Sequence, residues 1–313
     1  MNRSLAPDIK LGLSVAASWM WGTSLIVGME VARTRGMLTW LIWAGANTLA
    51  LWLFGELTRR GILGRRVFNK PAVRLAGTVI QCFILVINLN VLHAVLLRLG
   101  ILSIPAYWLA SGMGLGIAAW MYRGGLSLSI LTDRWQWLLT VLSASVIISI
   151  GCLGGAGRIA FPAAGGSDVL WGLWSSCILL SGPIGDIEHW QRAELAGTSC
   201  AFGWGAAAFA LYLGLVFGMS LFEFNRAMNL LLLMAGLCAT SSTLDSVIVA
   251  LHEAGGRKAG TGIAVALCLL WGLLLDWGVL AVWSWAGIFR VAFALYILAL
   301  AYRHSRGRGH NEA

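Results

Sequence analysis

The segment at residues 239–247, ATSSTLDSV, brings hydroxyl groups and one carboxylate into an otherwise apolar stretch of the chain. On a helix, with about 100° between successive residues, Ser242, Thr243, Asp245 and Ser246 share one face about 160° wide. At membrane depth such a face must contact protein or water, because lipid cannot satisfy its hydrogen bonds. Hydroxyl, carbonyl and carboxylate oxygens are hard ligands, so the face predicts a site for a small hard cation, Na⁺ or H⁺.

A second interpretation of the same face needs no ion. Serine and threonine hydroxyls can donate to carbonyl oxygens one turn earlier in their own helix. Asp245 can pair with a basic side chain across a helix bundle. The residues alone leave both interpretations open.

The composition defines the class of protein that positions this face. The chain has 313 residues, 59% of them hydrophobic and 11% charged, with a mean hydropathy of +0.81. Because about 20 apolar residues cross the hydrocarbon core, we predict an all-α polytopic membrane protein with ten transmembrane helices. The predicted spans are residues 11–33, 36–58, 74–98, 101–122, 136–156, 167–190, 199–221, 226–252, 259–276 and 278–303.

The net charge of +9 is explained by topology and does not indicate a nucleic-acid surface. Most of the 22 Lys and Arg residues fall on one side of the membrane when the N-terminus is placed inside, and both termini are then cytoplasmic. The first span lacks a signal-peptide cleavage pattern, so we expect it to be retained. The six cysteines form no CxxC pair and are expected to pack as small apolar residues.

The ten spans suggest a single domain, residues 1–313, built from two halves. Because each half has an odd number of spans, the two halves have opposite orientations in the membrane, as in inverted-repeat transporters. The first repeat would cover about 11–156 and the second about 167–303. Glycines in residues 17–24 (ASWMWGTS) and in residues 179–186 (LLSGPIGD), with Pro183 in the latter, predict a broken helix at the start of each half. The alternative is an ordinary kink and close helix packing.

Five motifs in order resemble the sodium:solute symporter family, whose members have the LeuT-type fold. They are AASWMWG at 16–22, RGGLSLSILTDRWQWLL at 123–139, GDIEHWQRAELAG at 185–197, ATSSTLDS at 239–246 and AVWSWAGIFRVAFALYILALAYRH at 281–304. Each motif is loose, and their common order carries the resemblance. Family members usually have one helix before the ten-helix core and two or more after it, so the chain resembles a shortened core.

The resemblance implies a sodium site between spans one and eight. Its ligands would be the carbonyls of Ala17, Met20 and Ala239 and the hydroxyls of Ser242 and Thr243. A bound ion would tie the two spans together in the outward-facing state, and its release would let the bundle rock.

Asp245 and Ser246 are not among these ligands, and they are the candidates for a second ion site or a proton site. Arg290, in the middle of span ten, departs from the small or apolar residues usual in the family. An arginine there needs a partner, and Asp245, Glu56 or an anionic substrate are the candidates.

The fold implied by the resemblance places a substrate near the middle of the membrane between spans one, three, six, eight and ten. Aromatic walls there suit an amine or another planar or sugar-like solute. The residues expected to line the site are Trp19, Trp21, Gln81, Asn88, Trp174, Ser175, Trp283, Trp285 and Arg290. For any one tryptophan, packing or interfacial anchoring is an equally ordinary role.

Charged residues near the cytoplasmic end of span six predict a gate or ion-pair network. Its members would be Asp186, Glu188, His189 and Arg192, together with Asp133 and Arg134. His93 and His189 have no neighbouring ligand pattern in the sequence, so no metal site is predicted.

The sequence therefore predicts a cation-coupled secondary transporter of a small polar or amine-containing solute, with sodium as the ion and no organic cofactor. The alternative is a non-transporting membrane receptor or structural subunit built on the same core. The lipid bilayer is an expected partner, nucleic acid is not, and the inner (plasma) membrane of a bacterium is the expected location. No GxSxG, HExxH or P-loop pattern occurs, so an enzyme is not predicted.

Overall fold

The computed structural model describes residues 5–273 and 278–309, and the regular elements of this part are helices. The ends of the chain and the last residues of the predicted ninth span lie outside the described residues. The helices are α1 (Leu5–Trp19), α2 (Gly22–Arg59), α3 (Arg65–Phe68), α4 (Pro71–Arg98), α5 (Ser103–Leu153), α6 (Gly166–Gly185), α7 (Ile187–Ala196), α8 (Ala201–Ser220), α9 (Arg226–Leu270) and α10 (Gly278–Gly309).

Within the described residues, six helices are long and apolar enough to cross a membrane. They are Gly22–Arg59, Pro71–Arg98, Ser103–Leu153, Ala201–Ser220, Arg226–Glu253 and Ala281–Arg303. Large apolar side chains also cover the outside of the bundle, as at Ile104, which is 74% exposed, and Trp135, which is 63% exposed. Such a surface suits lipid, and the prediction of an all-α membrane protein is confirmed at this level.

Single glycines with positive φ divide the three longest helices. Gly36 in α2 has φ 82°, Gly125 in α5 has φ 56° and Gly256 in α9 has φ 79°. These values lie in the left-handed region, which only glycine enters without strain. The break at Gly36 falls on the first residue of predicted span two, and the other two fall between predicted spans four and five and between spans eight and nine.

The two predicted broken helices are confirmed. Met20 and Trp21 separate α1 from α2, and the extended residue Asp186, with φ −94° and ψ 115°, separates α6 from α7. The Asn88 side chain of α4 accepts the Gly22 N–H at the first break, at 3.2 Å. This bond satisfies one of the backbone donors that a helix start leaves free.

The packing brings both breaks into the centre of the bundle. α9 packs along α5, α1 lies against α8, α5 and α9, and α10 lies against α6 and α4. The short α7 contacts α1 and α9. Polar residues of α1, α5, α7 and α9 therefore meet in one region, and those of α6, α7 and α10 meet in another.

We predict that Gly22→Ala destabilises the protein by about 1–3 kcal/mol, because an added methyl group overpacks the site. A Cβ at Gly22 would lie 2.6 Å from Thr240 Oγ1 and 2.7 Å from Val91 Cγ1. Thermal unfolding in detergent measures the effect. Gly45→Ala, also in α2, is the matched control because a Cβ there meets nothing within 4 Å. Equal stability of the two variants would contradict the close approach of α2 to α4 and α9.

Candidate functional site

The polar face predicted on residues 239–247 exists in α9 and is buried against protein. Ser242, Thr243 and Ser246 are 0% exposed and Asp245 is 2% exposed. Asp245 accepts hydrogen bonds from Ser129 Oγ at 2.7 Å and from other side chains of α5. The carboxylate in the apolar stretch is therefore held by neutral donors of a neighbouring helix.

A buried ion pair joins α7 to α5 beside this face. Arg192 Nη2 donates to Asp133 Oδ2 at 2.7 Å and to Ser246 Oγ at 2.8 Å, and its Nε donates to Ser14 Oγ at 3.0 Å. Asp133 also accepts the hydroxyls of Ser14 and Ser242, the latter at 2.7 Å. Four helices, α1, α5, α7 and α9, thus meet at one carboxylate.

We name this group the Arg192 cluster. Its members are Ser14, Ser129, Asp133, Arg192, Ser242, Asp245 and Ser246. It contains two carboxylates and one guanidinium, and Asp245 is the carboxylate without a charged hydrogen-bond partner in the described structure.

The described residues include an ion pair between two members of the predicted gate, and the role of a gate stays a prediction. Asp133 and Arg192 form the predicted ion pair. Asp186 belongs elsewhere, because its position in the break of span six turns it toward α10. Arg134 Nε is buried without a hydrogen-bond partner in the described part of the chain, so Arg134 does not join the network through that atom.

The proposed sodium ligands bond to one another and to Asp133. Thr243 Oγ1 donates to the Ala239 carbonyl at 3.2 Å, and the Met20 N–H donates to the Ala17 carbonyl at 3.0 Å. Ser242 Oγ donates to Asp133. The hydroxyls of Ser242 and Thr243 keep a lone pair that can contact a cation, whereas the Ala239 carbonyl, inside α9, already accepts the Thr243 hydroxyl beside its helical hydrogen bond. The new element is Asp133, which places a carboxylate next to the predicted ligands.

A second buried ion pair explains Arg290. Arg290 Nε donates to Asp186 Oδ1 at 3.1 Å, and its Nη2 bonds Asp186 Oδ2. The guanidinium also lies 4.3 Å from the ring centroid of Trp21 and 5.5 Å from that of Trp19. The sequence suggested two protein residues as partners of Arg290, and both predictions are wrong. Asp245 bonds to α5, and Glu56 pairs with its neighbours Arg59 and Arg60.

Glu188 and His189 follow Asp186 directly on α7 and are 0% exposed. With Asp186 and Arg290 they form the group that we name the Arg290 cluster. It also contains two carboxylates and one guanidinium. The buried residues of the described structure therefore include four carboxylates but only two guanidiniums. Uncompensated charge is very unfavourable inside a membrane bundle, so the second carboxylate of each cluster must be neutralised by a proton or by a cation.

A cavity of about 20 Å³ lies beside Arg290 and the break in span one. This volume holds one or two water molecules and is far below the roughly 300 Å³ of the smallest usual ligand pockets. Four predicted lining residues contribute to its wall, namely Trp19, Trp21, Trp283 and Arg290. Sequence reasoning missed other wall residues, among them Thr23, Ser24, Trp43 and Asn47.

Five predicted lining residues lie elsewhere. Trp174 and Trp285 are 45% and 54% exposed on the outside of the bundle, so their assignment is wrong. Helix geometry explains the error at Trp285, which is about 200° from buried Trp283 on α10. Trp174 is about 100° from buried Ser175 on α6, and its orientation depends on how α6 packs. Ser175 donates to Gly172, Asn88 holds the start of α2, and Gln81 is buried away from the cavity wall.

The polar spacing within single helices is the signal that could have found the Arg192 cluster. Ser129 and Asp133 are four residues apart on α5, as Ser242 and Ser246 are on α9. Residues four apart lie on one helix face, so each pair marks a polar stripe that needs a partner. Which stripes face each other depends on helix packing, and the spacing does not give it.

No protein-family model matches the chain, and a search of curated proteins finds no similar sequence. The symporter resemblance therefore rests on its five motifs alone and stays a prediction.

We predict that Arg290→Met destabilises the protein by about 3–5 kcal/mol, because it leaves Asp186 as an uncompensated buried charge. The double variant Asp186→Asn/Arg290→Met should recover most of this loss, since the removal of a whole buried pair is often nearly neutral. Denaturant or thermal unfolding of wild type, both single variants and the double variant gives the coupling free energy. Additive effects of the two substitutions would contradict the pairing.

Proposed function

We propose that the chain is a cation-coupled secondary transporter of a small polar or amine-containing solute that works by alternating access. The single observation that carries the proposal is the excess of buried carboxylates over buried guanidiniums. A core that contains more buried carboxylates than buried guanidiniums can attract cations from solution. The expected ten spans, the inverted repeat, the cytoplasmic termini and the bacterial inner membrane belong to the same proposal.

Sodium is the favoured ion, and the Arg192 cluster is its favoured place. The carbonyls of Ala17, Met20 and Ala239 and the hydroxyls of Ser242 and Thr243 supply neutral oxygen ligands. Asp133 supports this assignment because it bonds Ser242 at 2.7 Å and brings negative charge to the same side of α9. A cation beside Ser242 would be attracted by that carboxylate.

Arg192 gives the cluster a mechanism for release. Its guanidinium already contacts Asp133 and the hydroxyls of Ser14 and Ser246. A sodium ion beside Asp133 would compete with Arg192 for the carboxylate, and departure of the ion would leave the arginine as the sole positive partner. Because α7 carries Arg192, this exchange would couple the ion to the position of the second broken helix.

The solute site is favoured at the break in span one, where Trp19, Trp21 and Trp283 surround Arg290. The aromatic wall already holds one cation, the guanidinium of Arg290. An amine-containing solute would use the same ring faces. The cavity of about 20 Å³ would have to widen first, as alternating access requires.

The second candidate is a non-transporting receptor or structural subunit on the same core. The small size of the cavity favours it, as does the closed hydrogen bonding of Arg192 with Asp133. A core that never opens would show neither uptake nor an ion-specific response.

We predict that Na⁺ raises the unfolding temperature of the purified protein relative to K⁺ at equal ionic strength, because an ion bound only by the folded state stabilises it. At 100 times the dissociation constant the gain is about 2.7 kcal/mol. Ser242→Ala and Thr243→Ala should abolish the Na⁺-specific increase. The control Ser145→Ala should retain it, since this serine of α5 bonds only its own helix, at Val141. No difference between Na⁺ and K⁺ in wild type would contradict sodium coupling.

The variant Asp245→Asn distinguishes sodium coupling from proton coupling. The neutral side chain removes the carboxylate that lacks a charged partner, so we expect the unfolding temperature without Na⁺ to rise by about 2 °C or more. The Na⁺-specific increase should become smaller but remain, because Asp245 adds negative charge near the site and is not among the five sodium ligands. If the variant loses every cation response while wild type responds to pH and not to Na⁺, Asp245 is a proton site and the sodium assignment is wrong.

A further inference from the structure

The break between α6 and α7 carries three side chains with metal-ligating atoms. Asp186, Glu188 and His189 each offer one such atom, and these atoms lie within 4.8 Å of one another. All three residues are 0% exposed. The group lies outside the five proposed sodium ligands, and the sequence alone did not predict it.

Glu188 and His189 have no hydrogen-bond partner for any of their four polar side-chain atoms in the described structure. The closest approach between them joins His189 Nδ1 and Glu188 Oε1 at 3.7 Å, which is beyond hydrogen-bond distance. Aromatic rings surround the imidazole, with the Trp19 ring edge-on at 5.1 Å between centroids. A bare carboxylate in such surroundings is strongly unfavourable, so Glu188 must take up a proton or bind a cation, and the four polar atoms are free to contact one.

The two buried arginines do not supply this cation. Arg290 is bound to Asp186. Arg192 is bound to Asp133 and reaches Glu188 only at the backbone carbonyl, at 3.1 Å. Asp186 can still bind a ligand, because each of its carboxylate oxygens can accept a second contact beside the one from Arg290.

We propose that Asp186, Glu188 and His189 bind a divalent first-row transition-metal ion at the break of the sixth span. Two carboxylates and one imidazole form a mixed oxygen and nitrogen donor set, which suits Zn²⁺ and, more weakly, Mn²⁺. Sodium prefers oxygen alone, and a proton would satisfy only one of the contacts that Glu188 and His189 lack. Ligand atoms around tetrahedral zinc are about 3.3 Å apart, so small side-chain rotations complete the site. The ion would fix α7 to the end of α6.

The test is a titration of chelator-treated, detergent-purified protein with ZnCl₂, MnCl₂ and MgCl₂, followed by calorimetry and by the metal content after desalting. Wild type should bind one Zn²⁺, with affinity in the order Zn²⁺, Mn²⁺, Mg²⁺. Glu188→Gln and His189→Gln should each weaken Zn²⁺ binding by at least about 100-fold, since even outer partners of metal ligands are worth 10–100-fold.

Two consecutive residues of α9, His252 and Glu253, provide the matched controls. His252 bonds Thr261 and Glu253 bonds Gln191, so His252→Gln and Glu253→Gln should leave Zn²⁺ binding unchanged. Glu188→Gln should also raise the unfolding temperature of the metal-free protein, which separates a lost ligand from a failure to fold. Zn²⁺ binding that survives both cluster substitutions would overturn the proposal, as would wild type that binds no metal and only takes up protons. The sodium proposal depends on Ser242 and Thr243, so either proposal can fail while the other stands.

Discussion

Compensation of buried charge is the constraint on which the rest of the structure depends. Two broken helices and three divided ones bring four carboxylates into the centre of an apolar bundle, together with two guanidiniums. Each arginine takes one carboxylate in a close ion pair and leaves a second carboxylate beside it. Interiors of this kind are stable only when the remaining charge finds a cation or a proton. The proposed ion coupling and the proposed metal site both follow from this single shortage.

The helix breaks place the charges where they can act. Asp186 is extended between α6 and α7, so it faces α10 while His189, further along, faces the ring of Trp19 in α1. Arg192 lies further along α7 and bonds α1, α5 and α9. One short helix thus contributes to both clusters. A movement of α7 would change the Arg192 cluster and the Arg290 cluster together, which is what coupling between an ion and a solute requires.

Much of this arrangement is visible in the sequence. The spacing of Ser242, Thr243, Asp245 and Ser246 predicts one buried face, and the Gly and Pro residues predict both broken helices. The sequence also predicts an ion-pair network that includes Asp133 and Arg192, because these charged residues lie near the same ends of predicted spans. These features depend on local periodicity and on residue types with strong backbone preferences, so one chain is enough to predict them.

The rest depends on distances between helices. The pairing of Arg290 with Asp186 joins residues 104 positions apart. From the sequence, Asp245 and Glu56 are equally good candidates for the partner of Arg290. Trp174 and Trp285 are assigned to the cavity by residue type, although Trp285 points away from Trp283 on α10 and the orientation of Trp174 depends on how α6 packs. Asp186 and Glu188 lie three residues and one residue before His189, but their convergence depends on the extended conformation of Asp186 at the break, which the sequence does not give.

The claim that the core takes up a cation from solution can be measured without knowledge of the solute. Proteoliposomes adsorbed on a solid-supported membrane report charge movement when the solution changes rapidly from K⁺ to Na⁺ at constant ionic strength. The proposed function predicts a transient inward current in wild type that saturates with Na⁺ concentration and disappears in Asp133→Asn. The same current in empty liposomes, or no current in wild type at any Na⁺ concentration, would contradict it.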